Sequence, residues 1–325
     1  MGLTRAKILR GPAKIAMAGL TFWTPDDITL EIDDGAEERK SSMFGPVDRM
    51  VINPKVTCSF TPQAVTTGTT LQALLQAVIP AIFTNGYYGT AYIGSGSEVT
   101  CTIWATGGEQ VVIANYVITK PPQVSFAANK PLLGALTVTG ICATTSTDIV
   151  LGVNNSLYTV TTGVADPGGA FAGLPTYLQQ RYKGVWGTQT GFTEIWAENG
   201  WDVMFNPSWN ERKVQGMTVD YELSGMEIIA KCVPVGPTMK QVLDTQGIGG
   251  TSGASWAQGS LLSTQQSTNN LTIVDPSAAT VFTQTKPIIR QPGFKFGYQS
   301  LRVNELAWHS QVRFTAGAAG ALASF

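Results

Sequence analysis

Apolar and polar residues alternate with a period of two along most of this chain, which is the pattern of β-strands that bury one face. The alternating segments are short, and turn-forming residues such as Asn53 and Pro54 separate them. In the first half of the chain, the predicted strands are residues 28–32, 47–52, 56–60, 88–93, 99–104, 111–118, 124–127 and 136–141. In the second half, they are residues 201–205, 218–223, 227–233, 271–274, 281–283, 294–298, 301–306 and 311–314. The pattern therefore predicts a mainly β protein.

The segment LQALLQAVIPAIF, which begins at Leu71, has helical periodicity instead, because its apolar residues recur at spacings of three and four. Thr70 is available as the N-cap, and Pro80 should kink or end the helix. A shorter helix is predicted over residues 239–245, at the corresponding place in the second half of the chain.

Three blocks of similar residues recur in the same order about 172 residues further along the chain, which indicates an internal repeat. The first block pairs Glu38, Arg39, Lys40, Gly45, Asp48 and Pro62 with Glu211, Arg212, Lys213, Gly216, Asp220 and Pro234. The second pairs KPPQVSF at 120–126 with RQPGFKF at 290–296, and the third pairs LTVTG at 136–140 with VRFTAG at 312–317. We therefore predict a first module over residues 1–142, a linker or insertion over 143–183, and a second module over 184–325.

Each predicted module contains about ten short strands and one short helix. Such a set of elements is typical of a β-sandwich or small barrel with a helix packed on its side. The predicted fold class is therefore mainly β, with two tandem β-sandwich or barrel modules, each with a flanking short α-helix.

The composition is poor in charge: 43% of the residues are hydrophobic and only 13% are charged, against roughly 25% in typical globular chains. Either much of the surface lies against other subunits, or the chain is an ordinary weakly charged β-protein. The net charge of −1 argues against a nucleic-acid binder that works by neutralising phosphates. Asp33, Asp34 and Glu37 belong to an acidic segment that either lines a passage along which DNA slides or forms a solvated loop.

The sequence offers no constellation for catalysis, metal binding or cofactor binding. The four cysteines have no zinc-type spacing and are expected to be buried, reduced thiols. His309 is the single histidine, so a catalytic triad of the Ser-His-Asp or Cys-His type could form only around this residue. The glycine-rich pieces lack the context of a phosphate-binding loop. No signal peptide is predicted, because Lys14 follows the N-terminal basic residues and no uninterrupted apolar segment develops. No membrane span is predicted, because every apolar run is shorter than about 18 residues.

Tryptophans are numerous but lack a basic stripe for stacking single-stranded nucleic acid, so we expect anchors of the core or of subunit interfaces. They include Trp186, Trp196, Trp201, Trp209 and Trp256.

Two charged loops, residues 33–45 and 206–216, contain the repeated Glu-Arg-Lys runs. A mixed-charge hairpin tip that occurs at the same place in both modules is typical of a docking element that meets equivalent partners. Solvated tips that keep ancestral residues are the alternative.

The segment FGPVDRMVINPKVTCSFTP at 44–62, followed by a helix, resembles the tail tube (major tail) proteins of long-tailed phages. The resemblance implies a tail-tube-like module whose copies join sheet edges into rings that stack as a hollow tube. The long loops, here Asp34–Gly45 and Asn206–Gly216, would contact the next ring, which makes Glu38, Arg39, Lys40, Glu211, Arg212 and Lys213 the candidate stacking residues. Two modules per chain imply trimeric, pseudo-hexameric rings.

The resemblance further implies a non-enzymatic role in the virion, after assembly in the host cytoplasm, as a conduit for double-stranded DNA during ejection. The expected partners are further copies of the chain and other tail proteins, such as the terminator, tape measure and distal tail protein. Alternatives are a distal-tail or baseplate ring protein and, from a different class, a carbohydrate-binding adhesin that uses exposed tryptophans. An enzyme is the weakest alternative.

Overall fold

The computed structural model describes residues 4–66, 68–79, 100–127, 130–141, 158–164, 176–177, 185–189, 192–214, 216–235, 270–285, 287–289, 294–297, 300–303, 305–310, 314–315, 318–319 and 323–324. Within these ranges the chain forms antiparallel strands and one α-helix, which confirms the predicted mainly β fold class. The predicted helix over 239–245 lies outside the described residues.

The strands of the first half are short and connected mostly by tight turns. They are β1 (Thr4–Leu9), β2 (Ala13–Met17), β3 (Leu20–Thr24), β4 (Ile28–Asp33), β5 (Ala36–Ser41), β6 (Gly45–Val51), β7 (Lys55–Phe60), β8 (Ala64–Val65), β9 (Thr100–Ala105), β10 (Glu109–Ala114), β11 (Tyr116–Lys120), β12 (Val124–Phe126), β13 (Leu136–Ile141), β14 (Tyr158–Thr162) and β15 (Thr176–Tyr177). Helix α1 (Leu71–Val78) follows β8.

The second half contains two much longer strands, β18 and β19. Its strands are β16 (Trp186–Gln189), β17 (Phe192–Ala197), β18 (Trp201–Val214), β19 (Met217–Cys232), β20 (Pro234–Val235), β21 (Leu271–Val274), β22 (Thr280–Gln284), β23 (Ile288–Ile289), β24 (Phe294–Gly297), β25 (Ser300–Val303), β26 (Leu306–His309), β27 (Phe314–Thr315), β28 (Ala318–Ala319) and β29 (Ala323–Ser324).

Four larger sheets organise these strands. Sheet I has the order β1-β4-β7-β13-β11, and sheet II the order β14-β10-β9-β2-β3-β8-β15. Sheet III has the order β12-β18-β19-β26-β23, and sheet IV the order β20-β17-β16-β21-β22-β29. Sheets I and II form the first sandwich, and sheets III and IV form the second.

Side chains join the two sheets of each sandwich. Lys7 of sheet I pairs with Glu109 of sheet II at 3.2 Å. In the second sandwich, Trp308 Nε1 on sheet III donates to Gln189 Oε1 on sheet IV at 2.7 Å. One apolar cluster extends through all four sheets, because each alternates inward apolar residues with outward polar ones.

Sheets I and III have corresponding strand orders. In each, a hairpin of two strands is followed along the sheet by a later strand and then by an edge strand, so β4, β7, β13 and β11 correspond to β18, β19, β26 and β23. The hairpin registers also agree, since each shifts by one residue immediately after the arginine of the Glu-Arg-Lys run, at Arg39/Lys40 and at Arg212/Lys213. The tandem duplication itself stays a prediction.

For the third block of the repeat, the strand pairing in the sheets matches different residues from those that the sequence matched. The strand that pairs with β19, as β13 pairs with β7, is β26 at Leu306–His309. The sequence match had instead paired residues 136–140 with residues 312–317, a few positions further along. The apolar residues Leu306 and Trp308, both fully buried, explain why β26 takes this place.

One predicted strand differs in the structure for an identifiable reason. The predicted strand 111–118 is two strands, β10 in sheet II and β11 in sheet I, because Asn115 adopts a left-handed conformation with φ of 50° and turns the chain between sheets. Helix α1 ends at Val78, just before Pro80, and Thr70 accepts from Ala73 N at its N-terminus as predicted. The strands β1, β2 and β3 were not predicted.

The sheets also cross the predicted module boundaries. Strands β14 and β15, from the predicted linker 143–183, pair with β10 and β8 in sheet II. Strand β12, from the predicted first module, pairs with β18 in sheet III of the second sandwich.

Candidate assembly surface

Both Glu-Arg-Lys runs lie in strands, which corrects the prediction that they form loops. Glu38, Arg39 and Lys40 lie on β5, and Glu211, Arg212 and Lys213 lie on β18. Each run lies on one strand of a hairpin, β5 paired with β6 and β18 paired with β19. A two-stranded hairpin suits charged residues, because its strands satisfy each other's backbone hydrogen bonds while the side chains alternate between its two faces. We call residues 36–51 the first arm and residues 209–223 the second arm.

The second arm packs on the first sandwich. Trp209 and Tyr221 of the arm join Val117 of β11 and Ile141 of β13 in a small apolar cluster. The two aromatic rings meet edge to face, with centroids 6.2 Å apart. This contact links the two halves of the chain through an arm of one and a sheet of the other.

Polar contacts fix the second arm in position. Lys55 Nζ, at the start of β7, lies 2.5 Å from Glu211 Oε1 and also 5.8 Å from the centroid of the Tyr221 ring. The backbone N–H of Thr218 donates to Asn53 Oδ1 at 2.9 Å, and its hydroxyl donates to Glu211 Oε2 at 3.1 Å.

The electrostatics of Glu211 follow from these partners. Burial by itself would raise the pKa of its carboxyl, but the hydrogen bond and positive charge of Lys55, with smaller contributions from Lys213 and Thr218, lower the pKa below the usual 4.5. Burial, followed by the negative charge of Glu211, raises the pKa of Tyr221. The carboxylate is thus ionised and the phenol neutral at neutral pH.

The first arm is exposed, in contrast. Met43 and Phe44 at its tip are 81% and 78% exposed, and three further apolar residues along it are also solvent-exposed: Val47, Met50 and Val51. Its ion pair between Lys40 and Glu38 is long, at 3.9 Å, and lies in solvent, so it contributes little to stability. Five of the large apolar side chains that are exposed among the described residues therefore lie on one hairpin.

The acidic residues Asp33, Asp34 and Glu37 lie where the first arm leaves sheet I. Asp33 Oδ1 accepts from Gly35 N at 3.0 Å, and Asp34 Oδ1 accepts from Ala36 N at 3.1 Å, so both carboxylates stabilise a local turn. Gly35 has φ of 53°, which lets the chain bend between β4 and β5. Asp33 ends β4 and Glu37 lies on β5, so only Asp34 of the three is in a loop, and the prediction of an acidic lumen or loop is to that extent corrected.

Strand β12 attaches the second sandwich to the end of the first. Ser125 Oγ donates to Asp202 Oδ1 at 2.7 Å, and Lys130 Nζ pairs with Asp202 Oδ2 at 2.9 Å. A groove of about 510 Å³ lies beside this strand and is lined by Lys120, Lys130 and Phe205 among others.

The residues considered for chemistry have structural surroundings. His309 Nδ1 lies 2.9 Å from Glu227 Oε1 at the surface of sheet III. Cys58, Cys101 and Cys232 are buried free thiols, and burial raises the pKa of Cys58 to about 12. Cys142 lies outside the described residues. Among the residues that are described, no cluster of three or more His, Cys, Asp and Glu side chains is placed to bind a metal.

The tryptophans differ in their surroundings. Trp201 and Trp308 are fully buried, with ring centroids 5.3 Å apart, whereas Trp196 is 41% exposed and packs on Trp186. Trp209 belongs to the arm contact, and Trp256 lies outside the described residues.

Comparison with known proteins gives no assignment, since no family model matches the sequence and none of the curated proteins matches it. In the part of the chain that the structure describes, no helix is both long enough and apolar enough to cross a bilayer.

The Glu-Arg-Lys runs in the sequence indicate where the two arms lie but not what the second arm contacts. Asn53 belongs to a predicted turn, and Lys55 lies between that turn and the predicted strand 56–60, with no signal that either residue contacts another element. The contrast between Tyr221 and Arg49, which lie at matching places of the two arms, was a usable signal, because an aromatic residue on an otherwise charged hairpin indicates a covered face.

Proposed function

We propose that this chain is a structural protein that assembles head to tail into rings, and that the rings stack as the tube of a phage tail. The observation that supports this most directly is the packing of the second arm on the first sandwich. Sheets I and III have corresponding strand orders, and each carries an arm, yet only the second arm is covered within one chain.

The chain thus presents one exposed arm and, in the described residues, one sheet, sheet III, on which no arm of the same chain packs. A surface of one kind on one copy and its complement on the next make a heterologous contact, which closes into a ring if the rotation permits or continues as a filament. If the two sandwiches are a tandem duplication, three chains supply six similar positions. The proposed ring is accordingly a trimer with pseudo-sixfold symmetry.

The tube assignment comes from the resemblance of residues 44–62 to tail tube proteins, and the fold class agrees with it. In this role the chain makes and breaks no bond, and double-stranded DNA passes through the lumen during ejection. The partners are further copies of the chain and other tail proteins, namely the terminator, tape measure and distal tail protein. The site of action is the virion, with assembly in the host cytoplasm.

The low charge content also suits a chain whose surface is largely covered by copies of itself, since charged residues are depleted in the cores of interfaces. Exposed apolar strands are aggregation hazards unless a partner pairs or covers them. The first arm, with its exposed Met43 and Phe44, is such an element.

Cryo-electron microscopy of the purified chain across a range of concentration and salt tests the proposal. We expect class averages of rings with three chains and six similar lobes, together with stacked tubes. Rings that never stack would favour a distal-tail or baseplate ring protein instead. Monodisperse monomers under every condition would contradict the proposal.

One observation favours the adhesin alternative, namely the exposed Trp196, which packs on Trp186 with ring centroids 5.3 Å apart. Exposed aromatic pairs of this kind suit the apolar faces of sugars. A glycan array with the monomeric chain tests it, with Trp196→Ala as the matched variant. Binding that this substitution abolishes, in a chain that does not assemble, would support the adhesin.

A further inference from the structure

We infer that the first arm packs on sheet III of a second copy of the chain, in the way that the second arm packs on sheet I within one chain. The inference rests on the proposed function, because it takes the association of copies as given, and it adds which surfaces meet. The occupant of sheet III is therefore residues 36–51 of another copy.

The two arms correspond position by position. Glu38 pairs with Arg49 across the first arm, and Glu211 pairs with Tyr221 across the second. The register shift that follows Arg39 has its counterpart after Arg212. The contacts of the second arm can therefore be transferred to the first arm residue by residue.

The receiving surfaces correspond as well. Sheet I receives the second arm at Asn53 and Lys55, and the same displacement along the chain leads to Gly225 and Glu227 on β19 of sheet III. Glu227 points outward far enough for 41% of its side chain to be exposed. It lies beside His309, so the surface offers a carboxylate where sheet I offers an ammonium group.

One hydrogen bond of the observed contact has neither its donor nor its acceptor in the inferred contact. In the observed contact, the backbone N–H of Thr218 donates to Asn53 Oδ1. The residue of the first arm that corresponds to Thr218 is Pro46, which has no N–H, and the residue that corresponds to Asn53 is Gly225, which has no side-chain acceptor. The inferred contact thus leaves neither a donor nor an acceptor unmatched at this point.

The charged residues at the centre of the contact also differ between the observed and the inferred case. In the observed contact, the cation Lys55 lies between Glu211 and the ring of Tyr221. In the inferred contact, the anion Glu227 takes the place of Lys55, and Arg49 takes the place of Tyr221. Glu227 would then lie between Glu38 and Arg49 of the other copy's arm, and Arg49 would be the cation that offsets the repulsion between the two carboxylates.

Burial of apolar surface favours the same arrangement. Leu223 of the second arm is 3% exposed, whereas Val51, the corresponding residue of the first arm, is 59% exposed. Met43 and Phe44 extend the exposed apolar surface to the tip. Covering this arm would remove the largest group of exposed apolar side chains on the described part of the chain.

A mixture of two variants, each with one added surface cysteine, tests the contact between copies. One variant carries Arg49→Cys and the other Glu227→Cys, both also carry Cys142→Ser, and a short bismaleimide is added after the two are mixed and assembled. We expect a cross-linked dimer, which in this mixture forms only between different chains. The matched control replaces Glu227→Cys by Glu198→Cys, at an exposed carboxylate of the same sandwich, and should give no dimer.

The reagent is calibrated on the observed contact, since a single chain with Lys55→Cys and Tyr221→Cys should become linked internally. Cys58, Cys101 and Cys232 are buried and should not react in the folded chain. If wild-type rings form but Arg49→Cys with Glu227→Cys links no better than the Glu198→Cys control, this inference is overturned and the proposed function stands. If the wild-type chain never associates, both fail.

Charge reversal provides a second measurement that needs no cross-linker. Arg49→Glu should weaken association by about tenfold, judged by the concentration at which rings appear, because it places three carboxylates together. Adding Glu227→Arg to the same chain should restore association. Normal assembly of the folded Arg49→Glu variant, or no recovery in the double variant, would overturn the inference.

Discussion

At the scale of single residues, Glu211 shows how a surface carboxylate becomes a stabilising group. Its pKa in the folded chain lies below the usual 4.5, so its contribution to stability is complete above that value and is lost as the pH falls through the lowered pKa. The group remains partly exposed, so solvent screening keeps this contribution modest.

We therefore expect Glu211→Gln to lower the free energy of unfolding by about 0.5–1 kcal/mol at neutral pH and by much less at an acidic pH below the lowered pKa, where the wild-type carboxyl is also protonated. Urea titrations at the two pH values measure the difference. Glu38→Gln, at the matching place on the first arm, is the control and should have no effect on the monomer. Equal losses at both pH values would contradict the assignment.

A second residue, Gly187, lies against the buried ring of Trp201. A Cβ at this position would come within 2.4 Å of Trp201 Cζ2, so alanine requires the ring or the strand to move. We expect Gly187→Ala to lower the stability by about 1–3 kcal/mol through overpacking. Thermal unfolding measures this against Gly107→Ala, where the added methyl meets nothing within 4 Å, and similar melting temperatures for the two variants would refute it.

At the scale of elements, the two arms have the same hydrogen-bonded form but different surroundings. The first arm has exposed apolar side chains, and the second is packed on sheet I. Backbone amides exchange with solvent more slowly where packing opposes local opening.

We therefore expect amides of residues 36–51 to exchange faster than those of residues 209–223 in the monomer. In assembled particles, the first arm should become as protected as the second. Hydrogen exchange followed by peptide mass spectrometry compares the two states, and the second arm serves as an internal control. A first arm that exchanges equally fast in both states would show that assembly leaves it uncovered.

The elements also show how much of the fold the sequence predicts. Strands such as β4, β7 and β13 follow from their alternation, and α1 follows from its periodicity, its N-cap and Pro80. The second half of β18 does not, because residues 206–213 contain one large apolar side chain, Trp209, and lack a hydrophobic period. Its extended conformation depends on pairing with β19 and on contacts with Val117 and Lys55, which are distant in sequence.

At the scale of the whole molecule, Asp202 supports the attachment of β12 to the second sandwich. Its carboxylate binds Ser125 Oγ and Lys130 Nζ, which lie on or near β12 in the first half of the chain. We expect Asp202→Ala to lower the stability by about 1–3 kcal/mol, since it removes charge-assisted hydrogen bonds at a partly buried position.

Chemical denaturation of Asp202→Ala beside Glu198→Ala checks this. Glu198 is an exposed carboxylate shortly before β18, so its removal should change stability by less than about 0.5 kcal/mol. Similar effects of the two substitutions would mean that the Asp202 contacts do not hold the halves together.

The pairing of β12 with β18 also sets an order of events during synthesis. Ser125 and its partner Asp202 are 77 residues apart, so at a translation rate of about 5–20 residues per second the strand leaves the ribosome about 4–15 s before its partner. Throughout that interval the newly made first half carries an unfinished edge that another nascent chain could pair with. Neighbouring ribosomes on one messenger are therefore where premature exchange of this strand between chains would begin.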